Sequence, residues 1–180
     1  MRYVIVDLEA TCWMTHAEPR RIEIIEIGAV VLTSASSPIE REFDSFVRPI
    51  HETILSAFCM GLTGIQQPDV DQAEDFSKVF PRFLSWIGLE PYRLCSWSLF
   101  DLNQFKTDCV RHGLSFPVQF SSHLNLKLEF ARIAGVPPCG MNAALALCKL
   151  PVEGKHHRAL DDARNIARLA LLKILPGISG

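Results

Sequence analysis

Four carboxylates stand out by their positions. Asp7 and Glu9 lie two residues apart in VDLEA, at the end of the apolar run YVIV. Asp101 follows the run YRLCSW, in SWSLFDLNQF, and Asp162 is the second acid of HRALDDARNIARL. In an extended chain alternate side chains share a face, so Asp7 and Glu9 point one way and Val4, Val6 and Leu8 the other. Taken alone, D-x-E serves equally well as two solvated acids at a strand end. Asp101 alone reads as a first-turn acid favoured by a helix dipole. Helical phase separates the last two acids. Asp161 is followed on its face by Arg164, Asn165 and Arg168, which is polar; Asp162 is followed by Asn165, Ile166 and Leu169, at the edge of the apolar side. Asp161 is therefore expected at the surface, paired with arginine. Asp162 points inward and needs a partner, because a bare buried charge is very costly.

Four converging acids repel one another, and divalent cations relieve the repulsion. Mg2+ and Mn2+ prefer oxygen ligands. Two such ions, roughly 3.5–4 Å apart, are a recurrent device for phosphodiester cleavage, one for the attacking water and one for the leaving oxygen. His157 lies five residues before Asp162. An imidazole with a pKa of about 6.5 can take a proton from the attacking water. Its neighbour His156 is expected to be an exposed loop residue. A zinc site on the His156–His157 pair is not expected, since no cysteine lies nearby at ligand spacing. Glu26, an acid within IIEIG, is expected to be structural, bonded to backbone or to a basic neighbour. Lys149, Lys155, Arg158, Arg164 and Arg168 cluster near Asp162. Some suit the path of a phosphate backbone, although for each a solvated face is the simpler expectation.

The elements that position these residues follow from periodicity. Residues 3–9, 21–32 and 40–47 read as strands, with SASSP at 34–38 as a turn, which suggests an antiparallel meander. Residues 73–87 place Phe76, Val79, Phe80, Phe83, Leu84 and Ile87 at helical spacing, with Pro81 as an internal disturbance. A short strand is expected at 92–97 and a helix at 99–112 ended by Gly113. An edge strand or loop follows at 122–127, then helices at 126–133, 141–147 and 160–174. Strands first and then alternating helix and strand make a mixed α/β layer fold. No composition shift divides the 180 residues, so 1–180 reads as one domain.

Composition narrows the class. Hydrophobic residues make up 48% of the chain, enough for a sizeable core. No run approaches the roughly 18 apolar residues of a membrane span. The N-terminus carries Asp7 and Glu9 where a signal peptide would stay apolar, so a soluble, intracellular (cytoplasmic) protein is expected. The 6 cysteines form no C-x-x-C pair, which argues against a zinc ribbon or thioredoxin site. The formal net charge of −2 does not announce a nucleic-acid binder, nor does it exclude one with a local basic patch.

Together the motifs resemble those of the DEDDh 3'→5' exonucleases. The first family motif, D-x-E, matches Asp7 and Glu9; the second matches Asp101; the third, H-x-A-x-x-D, matches His157, Ala159 and Asp162. DLEATC, IIEIGAV, LTGI, HLNLK and HRALDDARNIARL look closest to the Eri-like and KapD-like branch. The resemblance implies an RNase H-like fold, with an antiparallel three-strand start followed by parallel strands, flanked by helices. It implies two divalent metal ions, Mg2+ or Mn2+, on Asp7, Glu9, Asp101 and Asp162, with His157 as the base. It implies release of nucleoside 5'-monophosphates from 3' ends of RNA or single-stranded DNA, and it names no protein partner. By the same likeness, Leu62 and Ile65 would wedge against the last base, and Thr63 would bond the terminal 3'-hydroxyl. Ala10 and Thr11 would offer backbone N–H, and Trp97 would stack on a base. For GLTGI a helix-capping turn, and for Trp97 a core position, are equally expected. Asn125 and Lys127 read as structural or phosphate-contacting. No SAP-like domain is recognised. The competing readings are an oligoribonuclease or proofreading-type exonuclease, and a nucleic-acid-binding or scaffold protein with a lapsed site.

Overall fold

The computed structural model describes residues 1–15 and 21–178. Strands β1 (Arg2–Ala10), β2 (Ile24–Leu32) and β3 (Ile39–Phe46) form the expected antiparallel meander. Helices α1 (Ala57–Thr63), α2 (Gln67–Asp71) and α3 (Phe76–Ile87) lead to β4 (Tyr92–Ser96), which pairs parallel with β1. Helix α4 (Leu99–Arg111) leads through a 3-10 turn to β5 (Leu124–Asn125), parallel to β4, and the chain ends in α5 (Leu126–Ala134), α6 (Met141–Leu147) and α7 (Ala159–Leu169). The sheet order is β3-β2-β1-β4-β5. No helix among the described residues is long and apolar enough to cross a membrane.

Both faces of the sheet are covered, and β1 shows why its sequence is apolar on both sides. Tyr3 and Ile5 join Val30, Leu32 and the inner faces of α5, α6 and α7. Val4, Val6 and Leu8 join Ala29, Val31 and Leu94 under α3 and α4. That second layer is aromatic: the Phe76 and Phe80 rings stack at 4.8 Å and Phe83 and Phe105 at 5.8 Å. Asp7 and Glu9 continue the Tyr3–Ile5 face, on the side where α7 packs.

The differences from the periodicity have local causes. The second strand starts at Ile24 rather than at 21; the Glu23 N–H goes to the Thr11 hydroxyl at 3.0 Å instead of a backbone carbonyl, while its carboxylate accepts the N–H groups of Ile50, His51 and Glu52 at 2.8, 3.0 and 2.6 Å. Helix α3 starts at Phe76, where Asp75 caps the Ser77 N–H at 2.8 Å, and it runs through Pro81. The 122–127 stretch divides into the end of the 3-10 turn, a two-residue strand and the start of α5, with Asn125 accepting from the Leu128 N–H. The last helix, expected as one piece over 160–174, loosens into a π-helical turn at Ala170–Ile174.

Candidate active site

The site forms where β1 and β4 part. Their pairing runs from Arg2↔Tyr92 to Ile5↔Cys95, after which β4 turns into α4 while β1 continues to Ala10. That leaves the Leu8 N–H facing the gap, and the Asp101 carboxylate on the first turn of α4 accepts it at 3.2 Å. Asp101 is thereby tied to the strand that carries Asp7 and Glu9. Crevices at the carboxyl ends of neighbouring parallel strands are the usual ligand sites of open α/β sheets.

Asp162 arrives from above on α7, and its approach depends on Gly28. Gly28 lies opposite Asp7 in the β1–β2 register. A Cβ there would sit 2.1 Å from Ala159 C and Leu160 N, so only glycine lets the first turn of α7 lie on the sheet. Glu26, fully buried, fastens that turn. It accepts from the Arg158 guanidinium at 2.7, 3.0 and 3.2 Å and from the Ala159 N–H at 2.9 Å. The structural role expected for Glu26 is thus a clamp on the helix that delivers Asp162.

The loop before α7 is fastened too. Asn165 bonds both the N–H and the carbonyl of Glu153, at 3.1 and 2.8 Å, and Asp161 accepts the Lys155 N–H at 2.9 Å. Gly154, at φ +72°, makes room for Asp161: an added Cβ would meet that carboxyl at 2.3 Å. His157 is held at φ +63°, a left-handed backbone rare outside glycine and common at functional sites.

Oxygens of Asp7, Glu9 and Asp162 lie within 4.8 Å of one another. Asp7, Glu9, Asp101, Asp162 and His157 line one cleft of about 520 Å³, together with Trp97, Phe100, Lys127, Asn142 and His156. The electrostatics express the crowding. Burial, then Asp101, Glu9 and Asp162, push the Asp7 carboxyl well above its usual range. Burial, then Asp162 and Glu26, push Glu9 up to about 8. Burial raises Asp101 to about 6, against hydrogen bonds from Ser96 and the Leu8 N–H that favour its charge. Burial lowers His157, His156 lowers it further, and Asp162 opposes both. A partly buried all-oxygen donor set carrying uncompensated negative charge fits a hard divalent cation such as Mg2+ or Mn2+.

Ile65, Thr63 and Thr11 depart from the expected contacts. Ile65 is fully buried with Ile25, Leu55, Cys59 and Val70 and does not reach the cleft. Thr63 is buried, and its hydroxyl donates to the Cys59 carbonyl at 2.9 Å and accepts the Ile65 N–H at 3.0 Å. GLTGI is therefore the helix-capping turn. The Thr11 N–H donates to the Glu23 carbonyl at 2.8 Å and its hydroxyl accepts the Glu23 N–H at 3.0 Å. Ala10 is buried, and its carbonyl accepts the Cys59 thiol at 3.7 Å. Leu62 stays 39% exposed. Trp97 is only 7% exposed, packs on Phe130 and donates Nε1–H to the Cys139 carbonyl at 3.0 Å, so little of its ring faces the cleft.

His156 is half-buried rather than exposed, with Nδ1 2.9 Å from an Asp162 oxygen. Of the basic cluster, Arg158 serves Glu26, Arg164 pairs with Glu42 and Asp161, and Arg168 pairs with Glu153. Phe100, 44% exposed, and Asn142 line the cleft without having been singled out in the sequence. No single-position signal picks out Phe100: of the two neighbours of Asp101 on α4, Phe100 is exposed and Leu102 is buried.

A mixed five-stranded sheet covered on both faces, with acids gathered from β1, α4 and α7 at its open crevice, defines an RNase H-like nuclease domain of the DEDDh type. The chain belongs to the exonuclease family: the family model RNase_T, described as Exonuclease, matches residues 4–170. It is 33% identical to human ERI1 exoribonuclease 2 over 196 residues, covering 97% of this chain and 28% of that protein. It is likewise 33% identical to rat 3'-5' exoribonuclease 1, covering 96% of this chain and 53% of that protein. The chain thus spans from about a quarter to about half of these curated relatives. The solved nuclease domain of 3'hExo, a DEDDh family member bound to rAMP, superposes with a TM-score of 0.89 at 31% identity, covering 94% of this chain and 90% of that one. The DEDDh exonuclease family depends on divalent metal ions.

Proposed function

We propose that this chain is a 3'→5' exonuclease domain, spanning 1–180, that removes nucleoside 5'-monophosphates from RNA 3' ends. The observation that carries the reading is the oxygen cluster of Asp7, Glu9 and Asp162, with Asp101 beside it and His157 at its rim. Asp7, Glu9, Asp101 and Asp162 would hold two divalent ions, Mg2+ or Mn2+. When bound, these supply Lewis-acid activation and charge stabilisation at the scissile phosphate. His157 orients the attacking water and takes its proton; burial and His156 lower its pKa, which favours the neutral form that accepts. Lys127, at the cleft wall, meets phosphate charge. Phe100 stacks on the terminal base, the role expected for Trp97, since an exposed ring serves any base. By the family likeness Leu62, exposed on α1, would wedge against the last base. Preference for RNA over single-stranded DNA rests on two likenesses: 3'hExo solved with rAMP, and a 3'-exonuclease solved in 3'-end recognition of a histone mRNA stem-loop.

The test uses 5'-labelled single-stranded RNA and DNA with Mg2+, Mn2+ or a chelator. A ladder shortening from the 3' end, metal-dependent and faster on RNA, is expected. No cleavage of either strand with either metal refutes the reading and favours a binding role.

A further inference from the structure

We propose that His156, His157 and Asp162 form a second, mixed-donor metal site that takes Zn2+ and thereby inhibits the nuclease. The sequence argued against zinc here because no cysteine lies at ligand spacing; the fold supplies a carboxylate instead. One ring nitrogen from each histidine and one Asp162 oxygen lie within 4.8 Å of one another. The His156 Nδ1 is 2.9 and 3.1 Å from the two Asp162 oxygens, and the two rings lie 3.9 Å apart, tilted by 30°. Tetrahedral zinc with bonds of about 2.0–2.2 Å sets its ligand atoms roughly 3.3–3.5 Å apart, so binding would adjust the ligand atoms by about 1 Å. Three protein ligands leave the fourth position to water.

The arrangement is built rather than incidental. The loop carrying both histidines is fixed by Asn165 on Glu153 and by Asp161 on the Lys155 N–H. The Asp162 carboxylate also accepts the His157 N–H at 3.0 Å. A second cluster, Glu23, Asp108 and His112, shows the contrast. Glu23 is committed to three backbone N–H groups, and Asp108 to the Ile24 N–H, Gln104 and Arg111. Those acids are structural, whereas among the described residues the hydrogen bonds of the His156 ring go to Asp162.

Donor chemistry separates the two sites. Imidazole nitrogen favours Zn2+ over Mg2+ or Mn2+, and the carboxylates of Asp7 and Glu9 favour the reverse. Asp162 belongs to both sets. Zinc there draws an oxygen from the catalytic set and occupies the His157 lone pair needed for the proton. This inhibition rests on the exonuclease reading; the binding site does not.

The experiment titrates the chelator-stripped full chain with Zn2+ by calorimetry, and with Co2+ by the visible absorption of its four-coordinate form. Mn2+ binding is measured in parallel. In His156→Gln, zinc affinity should fall by roughly tenfold or more, as expected for a lost ligand, with Mn2+ affinity little changed. In Asp7→Asn the ranking should reverse. Equal zinc affinity in His156→Gln and wild type would overturn the proposal, and so would a larger zinc loss in Asp7→Asn, which would place zinc among the carboxylates. Histidine ring resonances of the wild type give a reading independent of any variant's folding: both rings must shift at the first equivalent of zinc. Absence of Mn2+-dependent cleavage would sink the exonuclease reading while leaving the zinc titration to stand.

Discussion

Gly28→Ala tests whether the position of α7 sets the geometry of the carboxylates. The new methyl would stand 2.1 Å from Ala159 C and Leu160 N and 2.5 Å from the Ala159 carbonyl oxygen, all of them backbone atoms. No rotamer relieves that contact, so the first turn of α7 must retreat by about 1.3 Å to restore van der Waals separation. The Ala159 N–H, now 2.9 Å from Glu26, would then lie beyond hydrogen-bond reach. Overpacking costs about 1–3 kcal/mol. The lost bond to a buried carboxylate adds about 1.5–3 kcal/mol. At about 2–4 °C per kcal/mol for a domain of this size, Tm should fall by roughly 10 °C. Asp162, three residues along the same helix, moves with it. A misplacement of this order costs about a hundredfold in rate. Thermal unfolding, with initial rates on 5'-labelled single-stranded RNA well below both transitions, measures the two effects separately. Wild-type rate and Tm together would refute the packing argument. A lowered Tm at unchanged rate would refute the link from Gly28 to Asp162.

The metal-free protein should lose stability as pH rises from about 4.5 to about 8, because Glu9 is raised in the folded state, which therefore binds more protons there than the unfolded chain does. Mn2+ binds the ionised form, so the Tm gain on adding Mn2+ should grow across that window; a gain independent of pH would contradict it. His157→Ala should lower the cleavage rate by about 10²–10⁴-fold, the usual weight of a general base, and His156→Ala far less. The reverse ranking would move the base to His156. Phe100→Ala should raise KM with kcat nearly unchanged, by up to about 1–3 kcal/mol of stacking. Trp97→Phe, which keeps an aromatic ring on Phe130, should leave KM alone, and a larger KM effect there than at Phe100 would restore Trp97 as the stacking residue.

What the sequence made legible is what repeats with the period of an element. The β1 alternation put Asp7 and Glu9 on one face, and the phase of α7 turned Asp162 inward and Asp161 outward, as the structure has them. The strand ladder and the long amphipathic helices follow from the same patterns. The misplaced contacts depend on distances between elements, which no single-element period carries. Thr63 and Ile65 sit in the hydrogen-bonded turn that ends α1, and α1 itself is a seven-residue helix too short to show a periodicity. Trp97 turns inward because α5 and the Cys139 carbonyl reach it from more than 30 residues along the chain. A solvated face is the simpler expectation for the arginines near Asp162, but β2 and β3 supply Glu26 and Glu42 opposite Arg158 and Arg164. His156 departs from its expected exposure for a related reason: its partner lies one helical turn into α7, at a separation that cysteine-type ligand spacing does not cover.

Glu26 poses a conflict that the site resolves by geometry. It fastens the first turn of α7, yet its own negative charge raises the Asp7 and Glu9 carboxyls further, so the clamp adds to the repulsion among the acids it assembles. The bidentate Arg158 guanidinium offsets that charge at its source, at 2.7 Å, and lies over the Phe46 ring besides. Removing Arg158 would leave a buried, unpaired carboxylate and cost about 3–5 kcal/mol, the penalty for breaking one side of a buried pair. Neutralising Glu26 would weaken the clamp but ease the crowding of Asp7 and Glu9. The two changes break the same ion pair and move the metal site in opposite directions. The arginine therefore matters less as a fastening than as the counter-charge that lets an acid hold three other acids together. Divalent cations held by Asp7 and Glu9 would balance the remainder, which would tie the stability of the α7 seat to occupancy of the site it builds.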